Sequence, residues 1–331
     1  MTNKNTKVLV TGAAGFIGSH LVGALREKDY SIVCLVHPED DTFHLESLDL
    51  KVIRGDLADS HALEQAVDGV EVIYHLAGIL FSRDPDSLYR TNYVGTKNIV
   101  NACKAKKIHL KRFLYVSSAS VSGPTGEKKM NEDSPCRPIN DYGKSKLMTE
   151  QFLMSPQNLF PTTIIRPVQV FGPRGLNIFY HICRMAKKGI LPDFIQGRTS
   201  LGFVDDIVRG IIQACEHPET EGEIYLMGEN RIYSLSEIMH VFSKAVRQNL
   251  IRIRLPYFLL YSAAGIVELF CKIKNTYPPL TRWQVRSYVR QFEWCYNTSK
   301  AERDFGYKSE TSLEEGAKIT VDWFKKAGYL D

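Results

Sequence analysis

The chain has 331 residues, 44% of them hydrophobic and 24% charged, with a formal net charge of +5; that length buries a sizeable core as one large domain or two intimately joined ones. Lysines and arginines are scattered rather than gathered into a patch with interleaved aromatics, so nucleic acid is not an expected partner. Seven cysteines without CxxC or metal-ligand spacing read as reduced thiols with no metal site, and the polar residues 1–6 leave no room for a signal peptide, so a cytoplasmic protein is expected.

The first element is a β-branched strand over 7–10 that runs into Gly12, Gly15 and Gly18, followed by a helix over Phe16–Glu27 with Ile17, Leu21, Val22 and Leu25 at helical spacing. Strand, tight turn and helix in this order suit a pyrophosphate. Glycines let the backbone bend and the phosphate approach, and the helix N-terminus offers free N–H groups and the positive end of its dipole.

Further strands are expected over Ser31–Val36, Lys51–Arg54, 70–75, 112–117 and 162–166, with helices over 62–67, 88–106 and 141–154 between them. This alternation predicts an α/β fold, a doubly wound parallel sheet covered on both faces. Ligands of such sheets bind beyond the carboxyl ends of the strands. His37, Asp56, Ala77, Gly78, Ser117, Ser118 and Pro167 all sit there. His75, at the end of its strand, reads as a structural hydrogen-bonding residue, and Cys103 and Cys215 on apolar helical faces read as core.

A second constellation is Tyr142 and Lys146, four apart on a helix and so on one face, with Ser118 upstream. A phenol with a free pKa of about 10 is a poor acid or base near neutrality. A nearby ammonium and a cationic nicotinamide would favour the phenolate, making Tyr142 a usable proton donor or acceptor, with Ser118 orienting the substrate oxygen.

The chain resembles the extended short-chain dehydrogenase/reductase superfamily. The resemblance rests on Thr11-Gly-Ala-Ala-Gly-Phe-Ile-Gly18, Gly55-Asp56-Leu57, His75-Leu-Ala-Gly78, Asn92-Tyr-Val-Gly-Thr96, Val116-Ser-Ser-Ala119, Tyr142-Gly-Lys-Ser-Lys146 and Arg166-Pro-Val-Gln-Val-Phe-Gly-Pro173, in that order. Phe203-Val-Asp-Asp206 and the closing segments near 299–316 extend it over essentially the whole chain. It implies a Rossmann domain over 1–165 plus about 199–227, and a smaller C-terminal substrate-binding lobe over about 166–198 and 228–331. It implies Ser118, Tyr142 and Lys146 as the catalytic set. Along the cofactor it implies Gly12, Ala14, Gly15, Phe16, Ile17 and Gly18 at the pyrophosphate, and Asp56 and Leu57 near the adenine. Leu76, Ala77, Gly78 and Asn92 would follow, with Pro167 and Val168 beside the nicotinamide and the ribose held by Lys146.

Two departures matter. The second strand ends Leu35-Val36-His37-Pro38, without the carboxylate that would bind a ribose 2′-hydroxyl and select NAD; His37 there points toward NADP, with Glu39, Asp40 and Asp41 read as a solvated loop. Nucleotide-sugar members of the superfamily typically place an arginine just before the segment matching Phe203-Val-Asp-Asp206, where this chain has Leu201 and Gly202, with Arg198 several residues early and read as a surface residue. The chain is closer to the hydroxysteroid-dehydrogenase and dihydroflavonol-reductase-like branch, which implies a small apolar alcohol or ketone as substrate. The alternatives are a nucleotide-sugar epimerase or dehydratase, and a non-catalytic dinucleotide-sensing protein.

Residues 255–273 are strongly apolar but contain Pro256 and Glu268, with basic flanks at Arg252, Arg254, Lys272 and Lys274 and then Arg282, Arg286 and Arg290. Three readings are open: a buried helix of the second lobe, which is favoured, a lid over a lipid-like substrate, and a peripheral membrane contact. Trp283, Trp294 and Trp323 read as C-terminal core. The resemblance implies a homodimer through the helices over 88–106 and 141–154.

Overall fold

Seven strands form one parallel sheet: β1 (Lys7–Thr11), β2 (Ser31–Val36), β3 (Lys51–Arg54), β4 (Val72–His75), β5 (Arg112–Val116), β6 (Thr162–Pro167) and β10 (Ile224–Met227). Their spatial order is β10-β6-β5-β4-β1-β2-β3, every neighbouring pair parallel. This computed structural model describes residues 6–330 apart from 47, 49, 127, 193–196, 247–250, 254–255, 275, 277, 279–280, 283–284 and 286–292. Every residue of β4, β5 and β6 is buried, which is why these strands read as continuous apolar or β-branched runs rather than alternating ones.

Helices cover both faces. On one side lie α1 (Phe16–Glu27) and α8 (Val204–Glu216), closing over Leu21, Val22, Leu25, Ile207 and Ile211. On the other lie α3 (Ser60–Val67), α5 (Gly95–Ala105) and α6 (Asp141–Leu153), closing over Leu63, Ala66, Ile99, Val100, Cys103 and Phe152. Cys103 and Cys215 are both buried, and all seven cysteines are free. Side-chain caps set the starts of two of these helices: Asp59 accepts from the N–H groups of His61 and Ala62, and Asn140 from that of Gly143.

The helix expected over 88–106 is three pieces: α4 (Pro85–Tyr89), a π-helical turn Arg90–Val94, and α5. The expectation of one regular helix fails because Asn92 is pulled inward. Its Oδ1 accepts from the Ile79 N–H at 2.9 Å, and its Nδ2 donates to the Ile79 carbonyl at 3.1 Å and to Ser145 Oγ at 2.9 Å. Such bulges inside helices are frequent at functional sites.

The second lobe carries a three-stranded sheet, β7 (Gln169–Phe171), β9 (Arg198–Phe203) and β11 (Ile232–Ser234), and a pair β8 (Ile190–Pro192) with β12 (Ile251–Ile253). Because β9 pairs with β7 and β11, the part of 199–227 that returns to the large sheet begins at Val204. Phe171, Phe179, Phe203 and Phe242 pack edge to face or tilted, and Phe324 completes the core with α7 (Ile178–Lys187), α9 (Leu235–Val246) and a C-terminal helix over Leu313–Lys326. Trp294 and Trp323 pack partly buried against this lobe's apolar clusters; Trp283 lies outside the described residues.

The helix read from 255–273 is α10 (Tyr257–Ile273), and the favoured reading of it as buried is corrected here. Only Leu260 and Ala264 are buried, while Phe258, Leu259, Ile266, Leu269, Phe270 and Ile273 are exposed. A helix apolar on all sides buries only the side that meets protein. Leu255, Arg254, Arg286 and Arg290 lie outside the described residues, as does the side chain of Arg252. Among the described residues no helix is long and apolar enough to cross a membrane.

Candidate active site

The sheet changes winding direction between β1 and β4, and the loops leaving these two strands meet there. Gly12 has φ +67°, and a Cβ on it would stand 2.8 Å from the Ala77 nitrogen. A Cβ on Gly18 would fall 2.0 Å from the Gly12 carbonyl oxygen. The turn closes by a bond from the Gly15 N–H to that oxygen at 3.0 Å. Gly15 is the N-cap of α1, extended at φ −71° and ψ 173°, and supplies no side chain to accept from the first-turn N–H groups, nor does that turn hold an acidic residue. The first-turn N–H groups of Phe16 and Ile17 therefore stand without a capping side chain at a dipole terminus, beside Ala14 and the exposed tip at Gly15. A dinucleotide pyrophosphate fits this cradle. The Phe16 ring reaches across to Gly175 of the second lobe, where a Cβ would meet it at 2.9 Å.

His75 joins the two loops and the π turn. Its Nδ1 lies 2.6 Å from Thr11 Oγ1 and its Nε2 2.8 Å from Thr96 Oγ1. Thr96 Oγ1 donates to the Asn92 carbonyl at 2.6 Å, so it accepts from His75, which must carry its proton on Nε2. Nδ1 then accepts from the Thr11 hydroxyl, which itself accepts from the Ala77 N–H at 3.2 Å. One directed chain thus runs from Ala77 to Asn92. Burial lowers the His75 pKa to about 3, with the Lys146 charge adding to the effect, so the ring is neutral. His75 is structural, as its strand-end position suggests.

Lys146 and Tyr142 come from α6 and Ser118 from the end of β5. Ser118 is the N-cap of a short 3-10 turn, Ala119–Val121, and accepts from the Ser120 N–H at 3.1 Å. Burial raises the Tyr142 pKa to about 12, and the neighbouring Ser118 hydroxyl, which favours the phenolate, offsets it only in part. Lys146 is buried, its Nζ donating to the Val116 carbonyl at 3.0 Å and standing 4.8 Å from the Tyr115 ring centre. Burial lowers its pKa to about 8, opposed by Glu150. In the free protein, then, Tyr142 is a neutral phenol. Asn92 and Gly78 abut Lys146: a Cβ on Gly78 would lie 2.8 Å from Asn92 Oδ1 and 3.3 Å from Lys146 Nζ.

The remaining expected residues divide. Asp56 and His37 stand together, His37 Nε2 being 3.6 Å from Asp56 Oδ2. His37 Nδ1 accepts from the Glu39 N–H at 3.3 Å, which leaves the ring proton on the side of Asp56. Leu57 is buried against Gly95, and its carbonyl accepts from Asn98. Leu76 lies beside Gly12 through its carbonyl carbon. Pro167 ends β6, and Val168, buried with Ala119, Leu226 and Tyr296, donates its N–H to the Met227 carbonyl at 3.0 Å. Arg198 opens β9 and is engaged by Glu293 through two bonds of 2.9 and 2.7 Å.

Sequence reasoning missed Arg54. Its guanidinium donates to the carbonyls of Pro38 and Asp40 and to Thr42 Oγ1, holding the loop that begins at His37. No local signal marks it, because the role follows from the pairing of Val36 with Arg54 across β2 and β3.

A phosphate-ready glycine turn at the switch point, with a Ser, Tyr and Lys set on the adjoining strand end and helix, agrees with residues 8–228 matching the NAD dependent epimerase/dehydratase family. The chain belongs to that family. Within it the chain is similar to the decarboxylating sterol-4-alpha-carboxylate 3-dehydrogenase of Mus musculus, 26% identical over 97% of this chain and 92% of that one. It is also similar to the ceramide reductase of Caulobacter vibrioides, 27% identical over 99% and 98%. Among solved structures, UDP-glucuronic acid 4-epimerase from Bacillus cereus, in complex with UDP-glucuronic acid and NAD, superposes with a TM-score of 0.78 at 25% identity, covering 97% of this chain and 99% of that one. This epimerase/dehydratase-family protein is thus an NAD(P)-binding enzyme of the extended short-chain dehydrogenase/reductase superfamily.

Proposed function

We propose that this family member interconverts a hydroxyl and a carbonyl on an apolar, sterol- or lipid-like substrate. The observation that carries the reaction is the Ser118, Tyr142 and Lys146 set. A bound nicotinamide supplies or accepts the hydride at the substrate carbon. In reduction the Tyr142 phenol donates its proton to the oxygen that gains charge, Ser118 orients that oxygen, and the Lys146 ammonium offsets the phenolate left behind. Oxidation reverses each transfer.

The substrate class is supported by Arg198, whose guanidinium is taken up by Glu293 rather than offered to a diphosphate, and by relatives named for a sterol carboxylate and a ceramide. The second reading, a nucleotide-sugar epimerase or dehydratase, is favoured by the likeness to the UDP-glucuronic acid 4-epimerase. Assays with long-chain or sterol ketones and with UDP-sugars separate the two. Net consumption of reduced nicotinamide with the former supports the proposal; conversion of a UDP-sugar with no net change in it overturns the proposal.

For the coenzyme the reading is NADP, supported by His37 at the end of β2 and by Arg54 beneath its loop. Asp56 opposes it, since a 2′-phosphate must come between that carboxylate and His37. Calorimetric titration with both dinucleotides tests this: tighter NADP binding, weakened by His37→Asp, is expected, and tighter NAD binding refutes it. The reading includes a homodimer through α4, α5 and α6, where Val94 at the end of the π turn and Met148 on α6 lie exposed; a monomeric mass in solution counts against that.

A further inference from the structure

We propose that α10 lies in the plane of an anionic lipid surface and docks the protein there. The helix meets the rest of the chain along one stripe, where Leu260 and Ala264 pack with Val285 and Tyr257. At about 100° per residue, the opposite side is one continuous arc holding Phe258, Leu259, Ile266, Leu269, Phe270 and Ile273, with the small Ser262 and Ala263 between them. These six apolar side chains are 49 to 75% exposed. Scattered exposed apolar residues are ordinary, but a contiguous strip running the length of a helix marks an interaction surface.

Charge selects the occupant. Lys272 and Lys274 fall on opposite edges of the arc, both exposed, so their stems can run along an apolar surface while their ammonium groups reach its polar boundary. Lys274 Nζ stands 4.7 Å from the Phe270 ring centre. Glu268 is the one carboxylate of the helix, and it is turned away from the arc and held by the Arg282 N–H and Nε, each at 2.7 Å. The strip is therefore apolar, edged by two cations and free of acid, which complements an acyl boundary under anionic head groups. A second copy of the chain would bring no carboxylate to these lysines from the same strip. With 17 residues the helix is about 26 Å long, short of the ~30 Å hydrocarbon core, so it lies in the surface rather than across it. The inference rests on this surface alone and not on the substrate proposed above.

Flotation of the full-length protein with vesicles of phosphatidylcholine alone, and of phosphatidylcholine with phosphatidylserine, tests it. The wild type is expected to float with the anionic vesicles, less with the neutral ones, and less as salt rises. Ile266→Glu with Phe270→Glu removes flotation with both. Lys272→Gln with Lys274→Gln weakens anionic binding by about 25-fold, a factor of about five per lysine, and leaves binding to neutral vesicles unchanged. Both variants change exposed side chains outside the catalytic set, so Tm and turnover of a water-soluble substrate stay at the wild-type values. Two results overturn the proposal: a wild type that stays in the aqueous fraction with both vesicles, or a solution mass that halves in the Ile266→Glu, Phe270→Glu variant, which would assign the strip to a second copy.

Discussion

Lys146 Nζ donates to the carbonyl oxygen of Val116 at 3.0 Å, tying the middle of α6 to the last residue of β5. Ser118 is two residues beyond Val116 and Tyr142 one helical turn before Lys146, so this bond fixes the register between the proposed proton donor and the residue proposed to orient its acceptor. Tyr142→Phe keeps that bond and removes the transferable proton. Turnover should fall by about 10²–10⁴-fold while calorimetric dinucleotide affinity stays near that of the wild type; undiminished turnover would show that Tyr142 is not the proton donor.

The pKa of Lys146, lowered to about 8, sets a pH dependence. Its ammonium is present below that value and lost above it, so reductive turnover should decline as pH rises through about 8, and Lys146→Arg should move the decline upward. Stability has the opposite sign. Between about 8 and the unfolded value of about 10.4 the unfolded chain holds more protons, so this group's contribution to stability rises with pH. At pH 7 the charge is buried at a cost, and Lys146→Met should therefore raise Tm while abolishing turnover; a lowered Tm would show that the bond to Val116 outweighs desolvation.

His75 carries an acid-side prediction. Its pKa is lowered to about 3 by burial, so below the unfolded value of about 6.5 the unfolded chain takes up a proton that the folded chain refuses. Stability is complete above 6.5 and is lost as pH falls from there toward 3. His75→Phe leaves the Thr11 and Thr96 hydroxyls without their ring partner, which should lower stability by about 1–3 kcal/mol per orphaned group; urea titrations at pH 5 and 7 measure both effects.

The glycines of α1 separate site from scaffold. Gly18→Ala drives a methyl to 2.0 Å from the Gly12 carbonyl and should weaken both dinucleotide binding and folding. Gly23→Ala meets nothing within 4 Å and should stabilise by about 0.5–1 kcal/mol through helix propensity, with affinity unchanged. Thermal melts with and without NAD and NADP distinguish the two.

Arg166 and Glu150 form a buried pair, Nη2 to Oε2 at 2.6 Å and Nε to Oε1 at 3.0 Å, joining β6 to the helix that carries Tyr142 and Lys146. Removing one partner strands the other charge, so Glu150→Ala should cost about 3–5 kcal/mol by chemical denaturation.

The order of strands and helices, the glycine turn and the spacing of Tyr142 and Lys146 were legible because each depends on residues close in the chain: β-branched runs, glycines three apart, two side chains on one helical face. The helix over Phe16–Glu27 and the strands Ser31–Val36 and Lys51–Arg54 coincide with their sequence-based bounds for that reason. Where a distant partner intervenes, the local reading gives way. The π turn exists because Asn92 is held by Ile79 and Ser145, 13 and 53 residues away. Arg54 acts on the His37 loop only because β2 and β3 pair, and Arg198 is engaged by a carboxylate 95 residues further on. The state of the proposed catalytic groups is likewise tertiary: spacing places Tyr142 near Lys146, but burial makes the first a neutral phenol and the second a weakened base. The same holds for α10. Its composition alone fits a core helix as well as a surface one, and only packing, which buries Leu260 and Ala264 and leaves the side chains of the opposite arc exposed, decides which it is.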